Sequence, residues 1–376
     1  MFRRLFQQPE WVIPIVAFFI FILFGAAIVY LGNCDFSFAN CWVRWDSANY
    51  LDIVKNGHTL YHCTAANEMD KWCGNAGWAP LYPFFIRIVN TLSLGQLSLA
   101  QSGGILSNTF FLGYLILTAK IIEINSYKLR NWLFIFIVVF CPGNIYYHAV
   151  FPLSQTIFFM AWLFYLLKKE RFISAGFAGA LAILSYSIGF FLLAAMGCYT
   201  LYLIVKTKKI FHAFVTKTLP ISVLGFVTLF IYDYFSTAHW NALFMVQSKY
   251  GHSINSPLKI FGMRMQNLLN HPYNLSSWIE IQNLVTMAVV LFMVVYTFFR
   301  KKNTEGRFLA TFYLLFFWFL PYSASTATGL YRNAAMLGPG TTQNLEVPNW
   351  ALLLVLAAFI AQSFPLGILF IQSTIV

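Results

Sequence analysis

Residues 44–61 read RWDSANYLDIVKNGHTLY and residues 77–85 read GWAPLYPFF, with a polar insert carrying Cys63 and Cys73 between them. The insert and its flanks are polar and acidic in a chain that is otherwise apolar. Asp35, Asp46, Asp52, Glu68 and Asp70, out of 12 acidic residues in all, lie in this stretch or just before it. Acid therefore gathers where the chain leaves its first apolar run, and residues 33–79 are read as a large loop outside the bilayer.

Working outward, the composition sets the class. Of 376 residues 59% are hydrophobic, 19% aromatic and only 10% charged, too much apolar surface to hide inside a water-soluble fold. The apolar runs repeat at the roughly 20 residues that a helix needs to cross a bilayer, and they are continuous rather than alternating, which excludes a β-barrel. The expectation is one all-α polytopic membrane domain, 1–376, with about ten transmembrane helices. The expected spans are 11–31, 97–122, 132–150, 152–167, 172–187, 189–205, 211–235, 283–299, 307–325 and 349–373. Basic clusters flank 172–205 on both sides (Lys168, Lys169, Arg171; Lys206, Lys208, Lys209), so this run should be a hairpin turning near Ser185–Gly189. A cleaved signal peptide is the rival reading of the first run, preceded by Arg3 and Arg4; the length of the run and the lack of a clean small-x-small site after it weigh against that reading.

The formal net charge is +12. On the expected topology the excess base falls in the cytoplasmic segments, including Lys120, Lys128, Arg130 and Arg300–Lys302. The extracytoplasmic loops 33–79, 236–282 and 326–348 balance acid against base. The basic balance is thus a topology signal. Nucleic acid is excluded as a partner, because no soluble face gathers the bases. Cys34, Cys41, Cys63 and Cys73 share the first loop, which suggests two disulfides with three possible connectivities. A zinc site is the competing reading, and the lack of short CxxC spacing weighs against it.

Asp46 opens a helix-like stretch in which Tyr50, Ile53 and Val54 recur at helical spacing, at the water–lipid boundary. An aspartate in that place has two readings, an N-cap or a functional carboxylate. Arg44-Trp45-Asp46, Tyr50-Leu51, Asn56-Gly57-His58 and Ala79-Pro80-Leu81-Tyr82-Pro83 together resemble the RWD…GY…FPLYP pattern of the PIG-V-like mannosyltransferases. These are GT-C glycosyltransferases that use polyprenol-linked sugars, and their eukaryotic members add the second mannose to glycosylphosphatidylinositol anchors. Two further segments are similar: Trp240–Phe244 with Gln247 and Lys249-Tyr250-Gly251, and Leu330-Tyr331-Arg332.

The resemblance implies a GT-C fold with an extracytoplasmic active site. It implies transfer of one hexose, mannose in the family, from a polyprenyl-phosphate donor to a hydroxyl of a lipid or protein acceptor, with inversion and with Asp46 as base. One carboxylate suffices for a single displacement. Arg332 is the first candidate for the donor phosphate, since a guanidinium meets phosphate oxygens as a bidentate fork. Tyr331, Lys249 and Arg264 follow, and Arg44, Trp45, His58, Tyr82 and Gln247 are expected around the substrate pocket. No acidic pair has the spacing of a compact metal clamp, Asp46 and Asp52 being too far apart, so no cofactor or metal is expected. The membrane is expected to be a bacterial inner membrane, with the endoplasmic reticulum as alternative.

The chain departs from the family at Gln155, where members carry an acid, and at Tyr186, where members carry an arginine before a Ser-x-Gly. These departures keep a non-catalytic scaffold open as a rival. A transporter is the other rival, but no internal repeat pairs the two halves.

Overall fold

The first apolar run forms helix α1 (Pro9–Leu31), opened by Pro9, whose missing N–H is harmless at a helix start, and by Glu10, which favours the positive end of the dipole. In this computed structural model residues 8–34, 38–65, 69–206, 208–250, 255–270, 275–299, 305–323, 330–341 and 347–373 are described. A short helix α2 (Ser47–Asn56) follows in the first loop, then a two-residue antiparallel pair, β1 (Tyr61–His62) and β2 (Trp72–Cys73), and helix α3 (Leu81–Leu92). Helix α4 (Leu99–Ile121) starts at a reciprocal cap: Ser98 Oγ accepts from Gln101 N (3.2 Å) while Gln101 Oε1 accepts from Ser98 N (2.7 Å). Next come α5 (Leu129–Val139), α6 (Leu153–Lys168), α7 (Phe172–Ser185), α8 (Phe191–Lys206) and α9 (Ile210–Thr237). Helices α10 (Ala242–Ser248), α11 (Pro257–Asn270), α12 (Leu275–Phe299), α13 (Phe308–Ser323), α14 (Leu330–Ala334) and α15 (Asn349–Ile371) complete the chain.

Among the described residues five helices are long and apolar enough to cross a membrane: α1, α4, α9, residues Ser277–Tyr296 of α12, and α15. The other five expected spans appear as shorter apolar helices, α5, α6, α7, α8 and α13. A 14-residue helix such as α7 rises roughly 21 Å, short of the ~30 Å hydrocarbon core. The span expected at 132–150 is cut at Val139 because Pro142 disfavours helix before it and Gly143 takes a left-handed turn (φ 81°), from which a 3₁₀ turn, Asn144–Tyr147, continues. The hairpin expected at 172–205 is present, turning between Ser185 and Phe191. Helices α3 and α11 were not anticipated.

Helices α4, α6, α7 and α9 pack side by side, and small residues set the spacing of the last two. A Cβ on Gly225 of α9 would stand 2.6 Å from Ala180 Cα in α7, so only glycine admits this approach. The polytopic all-α architecture holds the first loop against this bundle and against the C-terminal end of α15.

Candidate active site

Two disulfides shape the first loop, Cys34–Cys41 and Cys63–Cys73. This selects one of the three connectivities and removes the zinc reading, since all four thiols are bonded. Between the disulfides the chain turns sharply at Trp45, a non-glycine residue in left-handed conformation (φ 49°) and 43% exposed. Such a residue stores conformational strain, which recurs where a side chain must be aimed. The strained turn separates Arg44 from Asp46. Arg44 reaches away and donates to Ile371 O at the end of α15 (Nε 3.2 Å, Nη2 3.0 Å) and to Val43 O (3.0 Å). Burial lowers its pKa.

Asp46 occupies the position before α2 but makes no capping hydrogen bond. Its carboxylate instead forms a charge-assisted pair with Arg332 of α14, 286 residues away. The two side chains are 27% and 16% exposed, so the pair is largely sheltered. Arg332 also lies over the Phe151 ring, 5.9 Å from its centre. Tyr50, four residues after Asp46 and thus on the same helix face, stands edge-on to Phe151 (5.9 Å) and Tyr82 (5.7 Å). Among the described residues its buried hydroxyl has no hydrogen-bond partner. Burial first, then the nearby Tyr186 and the Asp46 charge, raise the Tyr50 pKa well above the usual value, against the pull of Arg332. The phenol stays protonated, an O–H donor beside the carboxylate. Tyr186 is within electrostatic reach of both Asp46 and Arg332.

Sequence reasoning did not place Tyr50 or Tyr186 in the site. The i, i+4 relation of Tyr50 to Asp46 was the available signal. Tyr186 was visible only as a departure from the family pattern, and the structure joins it to the other departure: Gln155 Nε2 donates to Ser185 Oγ (2.9 Å), the residue before Tyr186. Gln155 is fully buried, and among the described residues its Oε1 has no partner. An acid here would carry a buried charge, which the neutral amide avoids.

Gln247 Nε2 (2.9 Å) and Ser187 Oγ (2.8 Å) both donate to Gly77 O, fixing the GWAP segment between α10 and the α7–α8 turn. His58 is 8% exposed; Nε2 donates to Trp78 O (2.9 Å), which assigns the tautomer, and Nδ1 accepts from Tyr232 OH (2.8 Å). Burial lowers its pKa, only partly offset by the Trp78 bond. The Tyr82 hydroxyl is buried on Gly103 O (3.0 Å) and Ser107 Oγ (2.7 Å). Lys249 Nζ approaches Cys73 Sγ (3.6 Å) and the Tyr250 ring. Arg264 pairs with Glu280 (2.6 Å) over the Tyr322 ring (5.5 Å). The side chain of Tyr331, and Gly251, lie outside the described residues. The structure therefore brings Asp46 and Arg332 together, and turns Arg44, His58, Tyr82 and Gln247 to bonds within the scaffold. Among the described residues no three of His, Cys, Asp and Glu are grouped to hold a metal ion.

An apolar cavity of about 390 Å³ lies between α5, α12 and α15, lined by Ile137, Phe292, Met293, Trp350 and Val355 among others. Ala334, two residues beyond Arg332, forms part of its wall.

No protein-family profile matches the sequence, and no curated protein matches it. Among solved structures, the crystal structure of the Archaeoglobus fulgidus oligosaccharyltransferase, in complex with Zn and sulfate, is similar over 94% of this chain, with a TM-score of 0.50 and 12% identity. The chain covers 53% of that structure, about half its length. The likeness is one of fold. The chain shares the fold of that structure over about half its length, and among the described residues five of its helices are long and apolar enough to cross a membrane.

Proposed function

We propose that the chain transfers one hexose from a polyprenyl-phosphate donor to a hydroxyl of a lipid or protein acceptor, with inversion, at Asp46. The observation that carries this reading is the Asp46–Arg332 pair, a carboxylate and a guanidinium from distant parts of the chain, both largely sheltered from solvent. In this reading the acceptor hydroxyl attacks the anomeric carbon from the face opposite the phosphate. Asp46 takes the hydroxyl proton as the new C–O bond forms. The bond from the anomeric carbon to the phosphate oxygen breaks, and its electron pair leaves with the polyprenyl phosphate, whose charge Arg332 meets. The lipid chain lies in the 390 Å³ cavity. Before donor binds, Arg332 holds Asp46; the donor phosphate competes for that guanidinium and releases the base.

The resemblance at Arg44–Asp46 and Ala79–Pro83 favours mannose as the sugar and an extracytoplasmic site, in a bacterial inner membrane. The single carboxylate, with Asp52 bonded elsewhere, favours a mechanism without a resident metal.

The test is transfer of radiolabelled hexose from polyprenyl-phosphate mannose, glucose or galactose to membrane lipid extract, with wild type and Asp46→Asn side by side. The expected outcome is labelled product with one donor and a drop of about 10²- to 10⁴-fold in the variant. Asp46→Asn at full activity removes the mechanism, and silence with every donor removes the reading.

A further inference from the structure

A second cavity, about 330 Å³, lies away from the Asp46–Arg332 pair, bounded by the far half of α2 (Ile53, Val54), by α3 (Leu81, Phe84, Arg87) and by α9 (Tyr232). Ile53 is seven residues from Asp46 along α2, a rise of roughly 10 Å, so the two places are distinct.

The cavity is apolar except at one edge. There the guanidinium of Arg87 donates to Val54 O and stands within electrostatic reach of Tyr232. Among the described residues Arg87 has no acidic partner. The acid of α2 on this side, Asp52, is occupied by Asn56 (2.7 Å) and Asn75 (2.6 Å).

Helix α3 explains why this edge faces outward. It buries Tyr82, Pro83 and Ile86 against the bundle and leaves Phe84, 57% exposed, and Arg87 on the open side, three residues apart and hence neighbours. An amphipathic helix of this kind lies along the membrane boundary, apolar body toward the acyl chains and cation toward the headgroups. The volume falls within the range of small-molecule sites. Its complement is an amphiphile with one negative group. A neutral lipid leaves the cation without a counter-charge, and a free anion leaves the apolar walls unfilled.

We propose that this cavity binds one anionic phospholipid of the surrounding bilayer, its phosphate on the Arg87 guanidinium and an acyl chain along Phe84 and Leu81. The inference is independent of the sugar-transfer reading, since it concerns other residues and a ligand that does not react. Because Tyr232 bonds His58, which in turn holds Trp78 of the GWAP segment, the bound lipid would brace the same loop that carries Asp46.

Native mass spectrometry of the detergent-released full chain, titrated with dioleoyl-phosphatidylglycerol or with dioleoylglycerol, which has the same acyl chains and no phosphate, tests it. Wild type is expected to retain one phosphatidylglycerol with about tenfold preference over dioleoylglycerol, the scale of a charge-assisted hydrogen bond. Arg87→Gln should abolish the preference and Arg87→Lys should keep most of it. Thr228→Phe, which keeps the charge but fills the lining, should also lose retention. Arg332→Gln should leave retention intact, and circular dichroism melts verify that each variant is folded. Equal retention by wild type and Arg87→Gln overturns the proposal. So does unchanged binding in Thr228→Phe, displacement of the lipid by inorganic phosphate alone, or loss of binding in Arg332→Gln, which would put the lipid at Asp46.

Discussion

Substitution of Arg332 by glutamine separates two jobs that the structure gives one guanidinium: holding Asp46 and meeting the donor phosphate. For stability, the pair is more sheltered than a surface ion pair, worth about 0.2–1 kcal/mol, but with side chains 16% and 27% exposed it is not fully buried. Removing one partner of a fully buried pair costs about 3–5 kcal/mol. Arg332→Gln should therefore destabilise the fold by about 1–2 kcal/mol, between these limits. For activity, a charge-assisted bond to phosphate is worth about 1.5–3 kcal/mol, or roughly 10- to 150-fold in kcat/KM for the donor. Arg332→Lys, which keeps the charge and loses the fork, should fall between wild type and Gln. The assay is donor-dependent transfer at saturating acceptor, with Asp46→Asn and the double variant alongside. Because the two side chains act as a unit, the double variant should be no worse than the poorer single. If Arg332→Gln leaves kcat/KM for the lipid-phosphate donor within twofold of wild type while Asp46→Asn is inactive, the guanidinium neither meets the phosphate nor positions Asp46 for the reaction, and its contact with phosphate is refuted.

Glu280→Gln leaves Arg264 buried without a counter-charge, the two side chains being 6% and 12% exposed as a pair, and should lower unfolding stability in micelles by about 3–5 kcal/mol. Replacing both by apolar residues of similar volume should restore most of that loss. Replacing Cys63 and Cys73 by serine opens a loop closed across ten residues and should cost about 2–3 kcal/mol, read as earlier proteolysis between β1 and β2. His58 gives a pH signature. Its folded pKa lies below the ordinary 6.5, so below that pH the unfolded chain binds more protons than the folded one and stability falls as pH falls. A series of melts from neutral pH downward should show this loss in wild type and a flatter profile in His58→Gln; identical profiles would remove the assignment of a neutral, buried imidazole.

The parts of the fold that were legible in the sequence are those governed by hydropathy. The runs at 11–31, 97–122, 211–235 and 349–373 are helices because an apolar stretch of that length has no other stable state in lipid. Where local backbone chemistry overrides hydropathy the sequence misled: Pro142-Gly143 cuts an apolar run that continues unbroken in composition. Helix α3 escaped notice for the opposite reason, since twelve residues with Arg87 on the open face carry no span-length signal.

The candidate site shows a sharper division. Arg44, His58, Tyr82, Ser187 and Gln247 address the backbone carbonyls of Ile371, Trp78, Gly103 and Gly77. Every residue supplies a carbonyl, so such a partner has no signature in the sequence, and Arg44 next to Asp46 looked like a pocket residue until the left-handed Trp45 turned it toward Ile371. Asp46 and Arg332 are different: Asp46 stands in the Arg44–Asp46 stretch that carries the resemblance, and Arg332 in a loop otherwise short of charge. A carboxylate that is partly sheltered from water at a membrane boundary needs a cation, and the cation needs an anion. The two residues stand out separately in the sequence, 286 positions apart, and the requirement that pairs them in the fold is the one that a phosphate-bearing donor would satisfy when it takes the place of Asp46 on Arg332.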